Sequence, residues 1–156
     1  MLAKGREKLV RRKLEKTITL VYGDSEALQF DDHVFDAAMV AFGARNFGDI
    51  NQGLAEILRV LKPGGLLVVL EFSKPRSLFF KKIFNLYFFR ILPFLGSLFS
   101  KDALAYSYLP ESVNNFPDRI DFLDIMRNTG FTDTCFEELT MGIACLYYGK
   151  KKLFAK

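Results

Sequence analysis

A chain of 156 residues, half of them hydrophobic, has material for one domain with a sizeable core. Its net charge of +4 is mild and leaves nucleic acid or an anionic membrane surface open as partners. Two cysteines, Cys135 and Cys145, lack metal or redox-pair spacing, and a single histidine, His33, excludes a His-based metal site and offers little to a hydrolase triad.

The chain begins in a basic helical pattern over residues 1–16, with Leu2, Leu9, Val10 and Leu14 as sparse apolar positions. Without a signal-peptide pattern there, the cysteines read as reduced thiols in a cytoplasmic protein. Residues 17–22 (Thr-Ile-Thr-Leu-Val-Tyr) are β-rich and predict a first strand closed by Gly23 and Asp24. A short turn or helix over 25–30 and a loop at Asp31 and Asp32 lead to a second, buried strand over 35–42. Asp49 predicts an N-cap for a helix over about 50–61. Pro63 cannot continue that helix, and Gly64 and Gly65 tolerate a left-handed turn. The unbroken apolar run 66–70 then predicts a strand buried on both faces of a parallel sheet.

Beyond Pro75 the pattern changes. Residues 77–99 hold seven phenylalanines, and 76–101 hold five basic residues and no acidic one. Interruptions at Lys81, Lys82, Arg90, Pro93 and Gly96 argue against a membrane-spanning helix and for two short helices broken at Pro93. Such a segment is a lid on the sheet edge, a surface for lipid or a greasy substrate, or both. A further helix opens at Pro117 and Asp118 and stops at Thr129 and Gly130. Residues 131–139 and 143–151 predict two closing antiparallel strands joined near Met141 and Gly142. The order of elements implies an α/β sheet.

Open α/β sheets bind ligands at the carboxyl ends of their strands. Asp24 is placed there to accept hydrogen bonds from an amino group of a nucleotide-like cofactor, with Ser25 offering a backbone N–H; a solvated turn aspartate is the alternative. Gly43 allows close backbone approach, while Arg45 and Asn46 set a cation and an amide beside the same rim. Arg45 reads as an oxyanion stabiliser or as a salt bridge holding the loop. Glu71, at the end of its strand, reads as a buried shaping group or a proton-transfer group. The dinucleotide fingerprint fails, because Gly64 and Gly65 precede a strand rather than a helix.

Four stretches, 23–30 (Gly-Asp-Ser-Glu-Ala-Leu-Gln-Phe), 41–46 (Ala-Phe-Gly-Ala-Arg-Asn), 59–75 and 106–112 (Tyr-Ser-Tyr-Leu-Pro-Glu-Ser), resemble the quinone-ring C-methyltransferases of UbiE/MenG type. The resemblance covers essentially the whole chain. It implies a Rossmann-like class I S-adenosylmethionine-dependent methyltransferase fold whose last two strands form an antiparallel hairpin. By the resemblance, Asp24 and Ser25 hold the adenine. Ala41 falls where some members carry a serine, so Ala41 and Phe42 serve through backbone. Asn46, Phe72, Ser73 and Tyr106 are the implied substrate contacts. Arg45 with a water, or Tyr108, is the implied stabiliser of a phenolate.

The implied reaction is C-methylation of a prenylated quinol ring, demethylmenaquinol to menaquinol, in menaquinone biosynthesis. Methylation of a ubiquinol precursor, or a cofactor-incompetent remnant acting only as a binding module, are the alternatives. The implied partner is a polyprenylated quinol met at the inner face of a membrane, with residues 78–99, inside a helical aromatic and basic insertion at about 76–104, forming the tail groove and the membrane contact. No nucleic acid is implied, and a homo-oligomer is left open. Relative to the family pattern, the first strand–helix–strand unit, with its glycine-rich loop and ribose-binding acid, is expected to be missing. Residues 1–156 would then be the carboxyl-terminal part of a single methyltransferase domain.

Overall fold

The computed structural model describes residues 2–86, 91 and 103–153, without the side chains at 78, 81, 83, 85 and 103–107. Its helices are α1 (Leu2–Arg12), α2 (Ile50–Val60), α3 (Leu78–Leu86), α4 (Ala103–Asn115) and α5 (Ile120–Thr129). Its strands are β1 (Phe35–Ala41), β2 (Leu61–Phe72), β3 (Phe131–Leu139) and β4 (Ala144–Lys151). They form one mixed sheet in the order β1-β2-β4-β3, with β1 parallel to β2 and the other two pairings antiparallel. The expected α/β class and closing hairpin are both present. Pro93, where a break between two helices was expected, lies outside the described residues.

The residues between α2 and the straight part of β2 show how sequence sets register. Asp49 accepts the Asn51 and Gln52 N–H groups at 2.8 and 3.3 Å, capping α2. At the other end, Lys151 donates to the Leu58 and Arg59 carbonyls at 2.6 and 3.1 Å, placing a cation on the negative end of the helix. Extended backbone starts at once at Leu61, which pairs with Phe35. The next pairing is Leu66 with Ala37, so the residues between loop outward. Gly64 takes φ +80°, and a Cβ on Gly65 would lie 2.8 Å from the Lys62 carbonyl oxygen. Only glycine lets the chain fold back this closely.

One face of the sheet carries the main core. Leu67, Val69 and Tyr147 are fully buried there with Leu54 and Ile57 of α2 and Phe122, Leu123 and Met126 of α5. A smaller cluster under Phe72 joins Phe84 of α3 to Val113 of α4.

Three expectations need correction. Residues 17–22 form no strand. Extended backbone becomes a strand only by pairing, and here Ile18 and Leu20 instead approach Arg6, Leu9 and Val10 of α1. A second strand buried throughout is not observed: β1 is the edge of the sheet among the described residues, and Met39 is 77% exposed. Nor is β2 buried on both faces, since Leu66, Val68, Leu70 and Phe72 keep partial exposure while their neighbours Leu67, Val69 and Glu71 have none. Helices α2 and α5 pack on one side of the sheet, so burial alternates.

Candidate functional site

The carboxyl ends of the parallel strands β1 and β2 form the rim. Glu71 has no exposed surface, and its carboxylate takes three donors. Arg45 Nη1 reaches Oε1 at 2.6 Å, the Arg45 backbone N–H reaches Oε2 at 3.3 Å, and the Phe72 N–H reaches Oε1 at 2.9 Å. Arg45 Nη1 also donates to the Phe42 carbonyl at 2.6 Å. The guanidinium carbon lies 5.4 Å from the centre of the Phe72 ring, which in turn meets the Phe42 ring at 4.6 Å. Of the two readings of Arg45, the ion pair is therefore present. It does not exhaust the side chain, because Arg45 Nε is buried without a hydrogen-bond partner among the described residues. Glu71 is a shaping group here, with its charge matched by Arg45.

Beside this pair a cleft of about 350 Å³ separates the loop after β1 from α4. Arg45 and Gly48 line one wall; Tyr108, Glu111 and Asn115 line the other. Tyr108 Oη donates to Asn46 Oδ1 at 3.0 Å across it. The structure thus brings Arg45, Asn46 and Tyr108 together, with Phe42 and Phe72 adjoining.

Asp24 and Ser25 reach the same rim through side chains that sequence reasoning passed over. Glu26 Oε1 accepts the Gly48 N–H at 2.6 Å, and the Glu26 carbonyl accepts Gln52 Nε2 at 3.3 Å. Arg59 then ties the following residues to α2, donating to the Leu28 and Phe30 carbonyls at 2.9 and 2.8 Å and to Asp32 at 2.7 Å. Its guanidinium also grips Glu56, whose carboxyl is held below its ordinary range chiefly by that bond. The i,i+3 spacing of Glu56 and Arg59 was the available signal. Asp24 uses Oδ1 to accept the Glu26 N–H at 3.0 Å.

Ser73 is placed differently from an open substrate contact. It is fully buried, and its hydroxyl donates to Asp118 Oδ2 at 2.6 Å. Asp118 also pairs with Arg119, which reaches Glu138 at 2.6 Å and the Lys74 carbonyl at 2.8 Å. This hub fixes the backbone that follows β2. Nothing in the local sequence marks it, because its members come from separate elements. Ala41 is exposed at the end of β1. Tyr106 lies in α4, with its side chain outside the described residues. No group of His, Cys, Asp and Glu among the described residues is arranged to hold a metal.

Residues 1–151 match the ubiE/COQ5 methyltransferase family. The chain is 48% identical over 153 residues to a ubiquinone/menaquinone biosynthesis C-methyltransferase of Geobacter sulfurreducens, covering 98% of itself and 59% of that protein. It is 44% identical to the protein of the same description from Geotalea daltonii, over 97% of itself and 64% of the relative. The chain thus spans about three fifths of the length of the curated relatives it matches.

Solved structures agree on the fold. A Thermotoga maritima protein described as a methyltransferase dependent on S-adenosylmethionine superposes with TM-score 0.59 at 20% identity, over 94% of this chain and 70% of that one. A Bordetella parapertussis protein described as a possible exported protein reaches 0.70 at 17% identity, over 97% and 50%. The fold is that of the class I methyltransferases. By its match across nearly the whole sequence, the chain belongs to the ubiE/COQ5 methyltransferase family.

Proposed function

We propose that the protein takes part in methyl transfer from S-adenosylmethionine to a ring carbon of a prenylated quinol, with demethylmenaquinol ahead of a ubiquinol precursor. The observation that carries this reading is a fixed cation, Arg45, in the wall of a cleft at the ends of two parallel strands, in a chain of this family.

The residues present fit the nucleoside end of the cofactor. Only one oxygen of the exposed Asp24 carboxylate has a partner among the described residues, leaving the other to accept from an exocyclic amino group. Ser25 would offer its N–H to the ring, and Ala41 and Phe42 would serve through backbone. When bound, the cofactor supplies an electrophilic methyl group on a sulfonium.

The chain's own residues deal with the quinol. An electron-rich ring becomes a stronger carbon nucleophile as its phenolic oxygen loses a proton. A guanidinium that stays charged, held by Glu71 and lying near the Phe72 ring, favours that phenolate without giving up a proton. Asn46 and Tyr108, joined across the cleft, limit where the ring can lie. Phe79 of α3 is 66% exposed beside the exposed Lys82, a pairing suited to the surface of a bilayer where a polyprenyl tail resides. No helix among the described residues is long and apolar enough to cross a membrane.

The test is methyl transfer to a short-chain demethylmenaquinol from a donor labelled in its methyl group. Label in the ring is the expected result, and its absence sinks the reading. Arg45→Ala should lower turnover; unchanged turnover would remove Arg45 from the reaction. Flotation with anionic liposomes tests the membrane contact, with recovery of the protein at the bottom of the gradient counting against it.

A further inference from the structure

We infer that Glu111 is the proton acceptor for the phenolic hydroxyl of the ring bound in the cleft between α4 and the loop after β1. The inference deepens the quinol reading above and rests on it for the identity of the ring.

The argument is one of elimination within a single cleft. Activating a phenol requires a base within hydrogen-bond reach of its proton. Arg45 lines the cleft but remains charged and has no acceptor to offer. Tyr108 lines it too, but its hydroxyl is committed as a donor to Asn46. The Ser112 hydroxyl donates to the Leu109 carbonyl at 2.9 Å, one turn back along its own helix. Two other carboxylates lie near: Glu71 is fully buried and holds Arg45 and the Phe72 N–H, and Glu26 accepts the Gly48 N–H at 2.6 Å without itself lining the cleft. Glu111 remains. It lines the cleft, it is exposed, and its carboxylate makes no hydrogen bond or ion pair among the described residues.

Helical spacing supports the placement. Tyr108, Glu111 and Asn115 follow at i, i+3 and i+7, so α4 presents phenol, carboxylate and amide on one stripe. Among the described residues, the only other ionisable side chains lining this cleft are Arg45 and Tyr108. A hydroquinone bridging the walls would meet a carboxylate at one side and a guanidinium at the other.

The step balances. The phenolic O–H bond breaks, the proton passes to a Glu111 carboxylate oxygen, and the electron pair stays with the ring oxygen, which enriches the ortho carbon. After that carbon has gained its methyl group, its ring proton leaves to solvent. The oxygen recovers its proton from Glu111, so one proton is released for each methyl gained.

The test begins with binding, which needs no methyl donor. The affinities of a short-chain naphthohydroquinone and of its dimethyl ether are compared anaerobically for the wild-type chain, Glu111→Ala and Glu111→Gln. A hydroxyl donating to a charged acceptor should give the wild type a preference of about tenfold to a hundredfold for the hydroquinone. Glu111→Ala should abolish the preference while keeping the affinity for the ether, and Glu111→Gln should retain part of it. An unchanged preference in Glu111→Ala, or failure of the wild type to bind either probe, overturns the inference.

A kinetic arm separates the two proposals. Where the wild type transfers methyl, Glu111→Gln should lower kcat about a hundredfold or more, with KM changed only a few-fold. A kcat within threefold of wild type overturns the role. A wild type that transfers no methyl but shows a preference dependent on Glu111 sinks the methyl-transfer reading and upholds the site.

Discussion

Arg45 and Glu71 are joined twice, once through the guanidinium at 2.6 Å and once through the Arg45 backbone N–H at 3.3 Å. The carboxylate therefore fixes the loop as well as the side chain it carries. Burying two charges repays its desolvation only when both are present. Glu71→Gln should consequently destabilise the fold by about 3–5 kcal/mol, because it strands a guanidinium that is nearly enclosed. Urea unfolding measures the loss, and a double-mutant cycle with Arg45→Met gives the coupling. A loss below about 1 kcal/mol would show that the loop holds without the pair.

Arg59 makes a second prediction, about the placement of Asp24 and Ser25. It binds the Leu28 and Phe30 carbonyls while gripping Glu56, and Glu56 Oε2 in turn accepts the Leu28 N–H at 2.9 Å. Arg59→Ala should speed amide exchange across residues 24–32 and leave exchange in β2 unchanged. The bond from Arg59 lowers the Glu56 pKa from its ordinary 4.5, so its contribution is present above that value. It is lost as pH falls through the folded-state value. Exchange across 24–32 should rise below pH 4.5 in the wild type and depend less on pH in Arg59→Ala.

The elements that sequence reasoning placed well are those fixed by short-range chemistry. The Asp49 cap, the turn at Gly64 and Gly65, the Gly130 stop and the closing hairpin each depend on a few adjacent residues. Residues 17–22 carry equally strong β propensity, yet propensity does not supply a partner, and beside α1 they pair with no strand among the described residues. The site divides in the same way. Arg45 and Asn46 follow a strand end and were legible, whereas Ser73, the adjacent pair Asp118 and Arg119, and Glu138 come from three places and meet only in the fold. Ser73 read as a rim residue because it follows β2; its burial is set by Asp118, 45 positions away.

Gly65 tests the turn that sets the register of β2. A Cβ there would come within 2.8 Å of the Lys62 carbonyl oxygen and 3.2 Å of the Asp36 carbonyl oxygen. Both are backbone atoms, so neither can yield by changing rotamer. Gly65→Ala should destabilise by about 1–3 kcal/mol, as overpacking does. Denaturant unfolding reads it directly. A neutral result would mean that the backbone after α2 relaxes freely.

Tyr147 links stability to alkaline pH. Its phenol accepts the Arg119 backbone N–H at 2.8 Å beneath the Phe122 ring, and burial is the main cause raising its pKa above the ordinary 10. A phenol whose folded-state pKa is raised stabilises the native state fully below pH 10. That contribution is lost as pH climbs from 10 through the folded-state value, because the unfolded chain ionises first. The wild type should therefore lose stability progressively above pH 10. Tyr147→Phe has no proton to lose and should show a shallower alkaline slope. At neutral pH the same variant leaves the Arg119 N–H unsatisfied, at about 1–3 kcal/mol. That N–H lies next to a backbone held at φ +56°, a region costly for arginine, so the phenol also helps to keep the start of α5 in place. Unfolding curves of the two proteins at neutral pH and above pH 10 decide the matter: parallel losses in both would remove Tyr147 as the source.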